Sequence, residues 1–311
     1  MQYEMIDLHK KIGDILCELG EEDERIYVLD SDLSKSTTSA KFRDTFPDRF
    51  IETGISEASA MSIASGIASE GQIPFYVNFA ILVSGTPWTQ LRQAAYASLN
   101  VKIIATHTGM DDGPDGASHH ANEDIAIVRS IPNVKVLVPS NVKELKQAIK
   151  IAIECNGPVY IRCVRDVVPN VEFETESRIG KSTIVEDLGN DFALVYEGTA
   201  ATIAYKGFEA LTEKGYKGKL INIFSVKPMD IDFINELAST VKGIVTVENH
   251  SVLGGLGGTI AEILAQRPEH AKLAYVGVPD VFTESGKSAD VKEKYGLNVN
   301  NIIEKVESVM K

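Results

Sequence analysis

VKIIATHTGMDDGPDGASHHANED, Val101–Asp124, changes character halfway along. VKIIATH is nearly all apolar, as a strand covered on both faces must be, and the loop behind it gathers Asp111, Asp112, Asp115, His119 and His120. A buried strand that empties into a dense polar loop is the pattern of parallel α/β proteins, which place ligand sites at the carboxyl ends of strands. Imidazoles there bind phosphate or sugar hydroxyls and transfer protons. The plain alternative is a loop whose Asp and Gly make turns and whose His119 or His120 is solvated. A metal reading finds no HxxxH spacing and no second ligand cluster, so no metal is expected here.

The same alternation extends in both directions. Upstream lie a helix around Met5 to Leu19, the strand IYVLD (Ile26–Asp30), a small-residue helix from Ser56 to Glu70, FYVNFAI and a helix near Trp88 to Ser98; downstream come VKVLVPS and VYIRCV. The stretch VVPNVEFETESRIGKSTIVEDLGN is polar and without a strong period, which predicts an interdomain connection over 166–190 with one short strand. A second block then repeats the pattern: FALVYEG, a helix from about Ala200 to Lys214, KLINIFSV, a helix after Pro228, GIVTVENH, a helix after Gly258, LAYVGV and a closing charged helix. The prediction is an α/β chain of two domains, each a parallel sheet flanked by helices.

Composition bounds what such a chain does. With 311 residues, 44% hydrophobic and 24% charged, it has the material for two cores. A net charge of −13 disfavours nucleic acid, whose phosphates need a basic surface. An anionic substrate would have to meet a local group of His, Arg or Lys, or a helix N-terminus. No apolar run spans a membrane and MQYEMIDLHKKIG lacks a signal-peptide core, which predicts a cytoplasmic chain. Cys17, Cys155 and Cys163 lack CxxC spacing and sit among apolar residues, which predicts buried reduced thiols.

Three further segments carry candidate chemistry. GISEASAMSIASGIASEG sets Glu57 at the start of a helix of small and apolar residues. It reads either as an ordinary first-turn acid behind a capping Ser56 or as a buried functional carboxyl. VYIRCVRD ends an apolar strand with Arg162 and Arg165, whose donor forks match phosphate or carboxylate, with surface ion pairing as the equal alternative. VTVENHSVLGGLGGTIAEIL has a strand, a glycine-rich turn and a helix, yet GGLGG is not GxGxxG and no ribose-binding acid follows, so close helix packing is the better reading.

In order, LDSDLSKS, GISEASAMSIASGIA, ATHTGMDDGPDGASHH with SIPNVKVLVPS, and VENHSVLGGLGG resemble the transketolase family over nearly the whole chain. The resemblance implies a pyrimidine-binding domain over 1–165, a linker over 166–190 and a transketolase C-terminal domain over 191–311. It places Glu57 on the family's catalytic glutamate, which hydrogen-bonds the aminopyrimidine of thiamin diphosphate and favours the tautomer that removes the thiazolium proton. His107, Asp115 and His119 fall on substrate-pocket positions, with His107 and His119 also catalytic. Arg165 and Ser36 fall on phosphate contacts, Asp32 on a cofactor-side residue and Phe79 on an aromatic lining the pyrimidine pocket. Arg162 joins the substrate-binding set.

Two positions depart from the family pattern: Leu82 stands where a ring often stacks on the pyrimidine, and His9 where an arginine often holds phosphate. No GDG with a downstream asparagine is present, the device that holds Mg²⁺ or Ca²⁺ and the pyrophosphate. The resemblance thus implies a partner polypeptide supplying the pyrophosphate domain, two copies of each chain in a heterotetramer, and ketol transfer between sugar phosphates of the pentose phosphate kind. Deoxyxylulose-phosphate synthase, the β subunit of 2-oxo acid dehydrogenases and a catalytically idle partner of a complete transketolase remain as alternatives.

Overall fold

The computed structural model describes residues 3–174 and 176–311. Its strands are β1 (Met5–Asp7), β2 (Ile26–Asp30), β3 (Phe50–Glu52), β4 (Ile73–Phe79), β5 (Lys102–Thr106), β6 (Lys135–Leu137), β7 (Val159–Arg162) and β8 (Val167–Pro169), then β9 (Thr183–Asp187), β10 (Ala193–Glu197), β11 (Lys219–Ile223), β12 (Ser225–Lys227), β13 (Gly243–Ser251) and β14 (Lys272–Val278). The first sheet runs β12-β6-β7-β5-β4-β2-β3 and the second β14-β13-β10-β11-β9, parallel except for β12 and β9, while β1 and β8 form a separate two-stranded antiparallel sheet. Every residue of β4, β5, β7, β10 and β13 is buried, as near-continuous apolar runs between two helical layers require.

The order of the first sheet creates a switch point. The chain leaves β2 for the edge strand β3, then crosses back to β4 on the other side of β2, so the crevice at the carboxyl ends of β2 and β4 is left open between diverging connections. The second sheet reverses in the same way between β10 and β13. The two halves are laced together: β12, from the second half, pairs antiparallel with β6, and the amide of Val138 donates to Phe224 O at 2.7 Å. One apolar cluster accordingly runs from Leu8 and Phe75 through Leu145 to Phe192, Tyr196 and Val306.

Four expectations need correction. Met5–Asp7 is a strand paired antiparallel with Val167–Pro169, and the helix begins only at Ile12; the chain start covers an edge that would otherwise leave its backbone groups unpaired. The connection over 166–190 holds two strands: β8, paired only with β1, and β9, at the edge of the second sheet beside β11. Only Cys163 is buried, while Cys17 and Cys155 are half-buried, all three as free thiols. The helix behind the glycine-rich turn starts at Leu256, ahead of Gly258.

That turn holds an internal carboxyl. Glu248, fully buried, accepts hydrogen bonds from the amides of Leu256 at 2.6 Å and Gly257 at 3.0 Å, so the chain's own carboxyl occupies the helix N-terminus, where burial pushes it up to about 8 against the pull of those two amides. A Cβ on Gly257 would lie 2.4 Å from the Tyr275 ring, which is the close packing expected of this motif. Among the described residues no helix is long and apolar enough to cross a membrane.

Candidate active site

The carboxyl edge of the first sheet collects the candidate residues strand by strand. After β2, Asp30 is buried and organises the loop: its carboxylate accepts from Leu33 N at 2.6 Å, Thr37 Oγ1 at 2.8 Å and Ser39 Oγ at 2.9 Å. This holds Asp32 and Ser36 on the exposed side, with Asp32 in left-handed backbone at φ 64° and its amide donating to Glu52. After β3 comes the helix Glu57–Ser69, with Glu57 at its first position and only 8% exposed. Ser56 does not cap it, for its hydroxyl donates back to Thr53 O at 2.8 Å. The Glu57 carboxylate accepts no hydrogen bond from any described residue. A carboxylate without a donor of its own at a switch point is free to accept one from a ligand.

Behind Glu57 stands a bonded wall. Tyr76 Oη lies 2.8 Å from Ser31 Oγ and accepts from Asn78 Nδ2 at 2.8 Å, and burial pushes Tyr76 up to about 12, so it stays protonated. Beyond it, β4 ends at Phe79, and Leu82, half-buried, follows on the short helix Ala80–Gly85.

After β5 the backbone turns sharply at His107, with φ 56°, and lays the imidazole on Phe79 at 3.8 Å between ring centres and 28° between planes. Thr106 Oγ1 sits 2.8 Å from His107 Nδ1, leaving Nε2 for another partner. His9 meets the same ring edge-on at 5.7 Å, and His119 meets Phe79 edge-on at 6.4 Å. His9, His107, Phe79 and His119 therefore form one continuous aromatic cluster. Burial, reinforced by Arg165, His9 and His119, pushes His107 down to about 3, so it is a neutral hydrogen-bonding group at physiological pH. Burial likewise lowers His9, although Asp7 Oδ1 lies 2.5 Å from its Nδ1.

Arg165 closes the far end. Its guanidinium, 38% exposed, pairs with Asp112 at 2.5 Å. Asp115, exposed, stands beside Asp112. Burial raises Asp112 to about 6, against the pull of Arg165 and with help from Asp115. Acidification through that value protonates Asp112 and releases Arg165 from its carboxylate. Sulfate, whose charge does not change in this range, is expected to bind the full chain several-fold more tightly at about pH 5 than at about pH 7.5. Asp112→Asn should flatten the dependence; calorimetric titration at both pH values checks it, and an unaltered slope in the variant would remove Asp112 from the account.

Arg162 does not belong to this pocket. It is fully buried, and its donors are spent inside the chain: Nε on Asp124 at 2.8 Å, Nη1 on Thr199 Oγ1 at 2.6 Å and Glu197 at 3.3 Å, Nη2 on Asn249 O at 2.8 Å. The expectation of a substrate-binding Arg162, and the surface ion pair set against it, both fail because the carboxyl edge of the second sheet closes over the end of β7. Sequence reading also missed Asp112 as the partner of Arg165, and Asn249 and Lys292, which reach the loop from the second half. The only signal for Asn249 was its place in VENHSV at the end of an apolar strand.

The residues present suit the aminopyrimidine end of thiamin diphosphate: a donor-less buried carboxylate at Glu57 and the Phe79 and Leu82 wall beside it. Among the described residues no three His, Cys, Asp or Glu side chains are grouped to hold a metal ion.

Comparison with known proteins agrees with this arrangement. Residues 4–170 match the transketolase pyrimidine-binding domain and 180–302 the transketolase C-terminal domain. A protein of Methanocaldococcus jannaschii named as a transketolase C-terminal section is 39% identical over 308 residues, covering 98% of this chain and 96% of the relative. A 6-deoxy-6-sulfo-D-fructose transketolase subunit of Clostridium sp. strain MSTE9 is 34% identical, covering 93% and 90%. A solved split-gene transketolase, described as an inactive β4 tetramer, superimposes with a TM-score of 0.88 at 36% identity over 99% of each chain. The chain belongs to the transketolase family, as the pyrimidine-binding and C-terminal part of a split transketolase.

Proposed function

We propose that this chain, joined to a second polypeptide carrying the pyrophosphate-binding domain, transfers a two-carbon ketol unit from a phosphorylated ketose to an aldose. The observation that carries the reading is Glu57, nearly buried at the switch point without a donor of its own, in front of an aromatic histidine cluster that ends at Arg165. Thiamin diphosphate, when bound, supplies the carbon nucleophile that accepts the ketol unit. Glu57 holds the ring nitrogen of its pyrimidine, Phe79 and Leu82 wall that ring, and Asp32 stands on the cofactor side. His107, neutral, and His119 beside it hydrogen-bond the reacting sugar, Asp115 orients its hydroxyls, and Arg165, Ser36 and His9 receive the phosphate. Mg²⁺ or Ca²⁺ and the pyrophosphate fall to the partner.

Ile55, 81% exposed two residues before Glu57, and Ile63, 40% exposed on the helix that Glu57 begins, support a partner surface here. The solved relative described as an inactive tetramer of β chains supports self-association with activity gained from the second chain, in a heterotetramer of two copies each. The family matches at 4–170 and 180–302 support domains over 1–165 and 191–311 with 166–190 between them.

Thiamin diphosphate with Mg²⁺, titrated calorimetrically, is expected to bind tightly and support ketol transfer only when this chain is mixed with the polypeptide that carries GDG and the downstream asparagine. Tight binding and turnover by this chain alone would overturn the proposal. In the mixture, His107→Ala and Arg165→Met should chiefly raise KM for phosphorylated sugars, and an unchanged KM would take those two residues out of the pocket.

A further inference from the structure

Asn249, at the end of β13 and fully buried, spends its side-chain amide on the loop that follows His107. Its Oδ1 accepts from Met110 N at 3.0 Å, and its Nδ2 donates to Asp111 Oδ1 at 2.7 Å and to Thr108 O at 3.4 Å. Its backbone is clamped as well, for its amide donates to Glu197 at 2.9 Å and its carbonyl accepts from Arg162 at 2.8 Å. Asp111 passes the restraint on: its other oxygen accepts from the amides of Arg165 at 2.9 Å and Asp166 at 3.4 Å. Lys292, on the helix Ser288–Lys294, bridges the carboxylates of Asp111 and Asp166 at 2.7 Å each. One amide from the second half thus reaches both arms of the pocket, the loop bearing His107 and the strand end bearing Arg165.

The fit is close and directional. At Gly109, with φ +56°, a Cβ would lie 2.2 Å from Asn249 O and 2.3 Å from its side chain, so the loop lies directly against Asn249. Only a side chain with one acceptor and two donors satisfies a backbone N–H, a carboxylate and a carbonyl together. Aspartate would set two carboxylates face to face, and an apolar isostere would leave Met110 N–H and Asp111 without partners.

We infer that Asn249 is a positioning residue: through Asp111 it fixes the distance between the histidine loop and Arg165, and so the length of sugar phosphate the pocket accepts. This rests on the reading of that pocket as a sugar-phosphate site.

The test has two readouts. In the full chain, Asn249→Ala is expected to speed amide hydrogen exchange at Met110, Arg165 and Asp166 together by about tenfold, the loss of one buried hydrogen bond at each step. Exchange in the cores of β4 and β10 should stay as it was. Unchanged exchange at those amides, or a rise spread evenly over both sheets, overturns the positioning role. In the assembled enzyme Asn249→Ala should raise KM about tenfold for a phosphorylated ketose and much less for an unphosphorylated one, with kcat held. Selective exchange with KM raised equally for both ketoses would overturn the sugar-phosphate reading while the loop restraint itself stands.

Discussion

Glu57→Ala is expected to lower turnover of the assembled enzyme by roughly 10²–10⁴-fold, the range lost when a positioned proton-transfer group is removed. Folding should hardly notice. The carboxylate makes no hydrogen bond to a described residue, so the substitution forfeits only its interaction with the helix dipole, about 0.3–1 kcal/mol. Glu57→Gln, similar in size but unable to exist as an anion, should fall nearly as far in turnover. The alternative reading of Glu57 as an ordinary first-turn acid makes the opposite forecast: turnover within about threefold of the parent and a lower thermal midpoint as the helix start loses its anion. Ketol transfer at saturating cofactor, set beside thermal unfolding of the same preparations, separates the two. The absence of a cap from Ser56 sharpens the contrast, because a helix start that relied on local capping would have used that hydroxyl.

The parallel sheets were legible because each strand announces its own burial. VKIIATH and FYVNFAI are apolar over nearly their whole length, and no distant residue is needed to read them. His107 and Arg165 drew attention for a related reason: each stands beyond the end of such a strand, where the fold class places ligands whatever the rest of the chain does. Glu57 drew it as an acid at the start of a helix of small residues, for the short strand Phe50–Glu52 before it is only partly buried. Failures occurred where a residue's meaning is set by a partner far along the chain. Met5–Asp7 carries apolar residues compatible with a helix and becomes a strand only because Val167–Pro169 lies beside it. The restraint of the histidine loop by Asn249 and Lys292 is invisible for the same cause, since both come from the other half of the chain. Ser56 failed differently: its capping preference is real, but its hydroxyl turns back to donate to Thr53 O and accepts from no amide of the helix.

Arg162 is where this blindness matters most, and it sets up the largest expected effect on stability. Its neighbours Asp124 and Glu197 are fully buried like itself, and Tyr160 adds its hydroxyl to Asp124 at 2.8 Å. Arg162→Met should destabilise the chain by about 3–5 kcal/mol, because two carboxylates then remain in the interior without their cation. Arg162→Lys should recover only part of this, since a point charge cannot reach Asp124, Thr199 and the Asn249 carbonyl together. Replacing all three charges, by Arg162→Met with Asp124→Asn and Glu197→Gln, should recover more than Arg162→Lys does, which would place the cost in the stranded carboxylates rather than in lost packing. Urea unfolding of the four proteins measures the series. A phosphate-binding arginine would behave otherwise: Arg162→Lys would raise KM for phosphorylated sugars and leave the urea midpoint where it was. Because the guanidinium joins the end of β7 to the ends of β10 and β13, its removal should also weaken the coupling of the two halves, so that unfolding monitored at Trp88 parts from unfolding monitored by helix content. A single coincident transition in Arg162→Met, with the midpoint unmoved, would mean that the laced strands β6 and β12 hold the halves together without it.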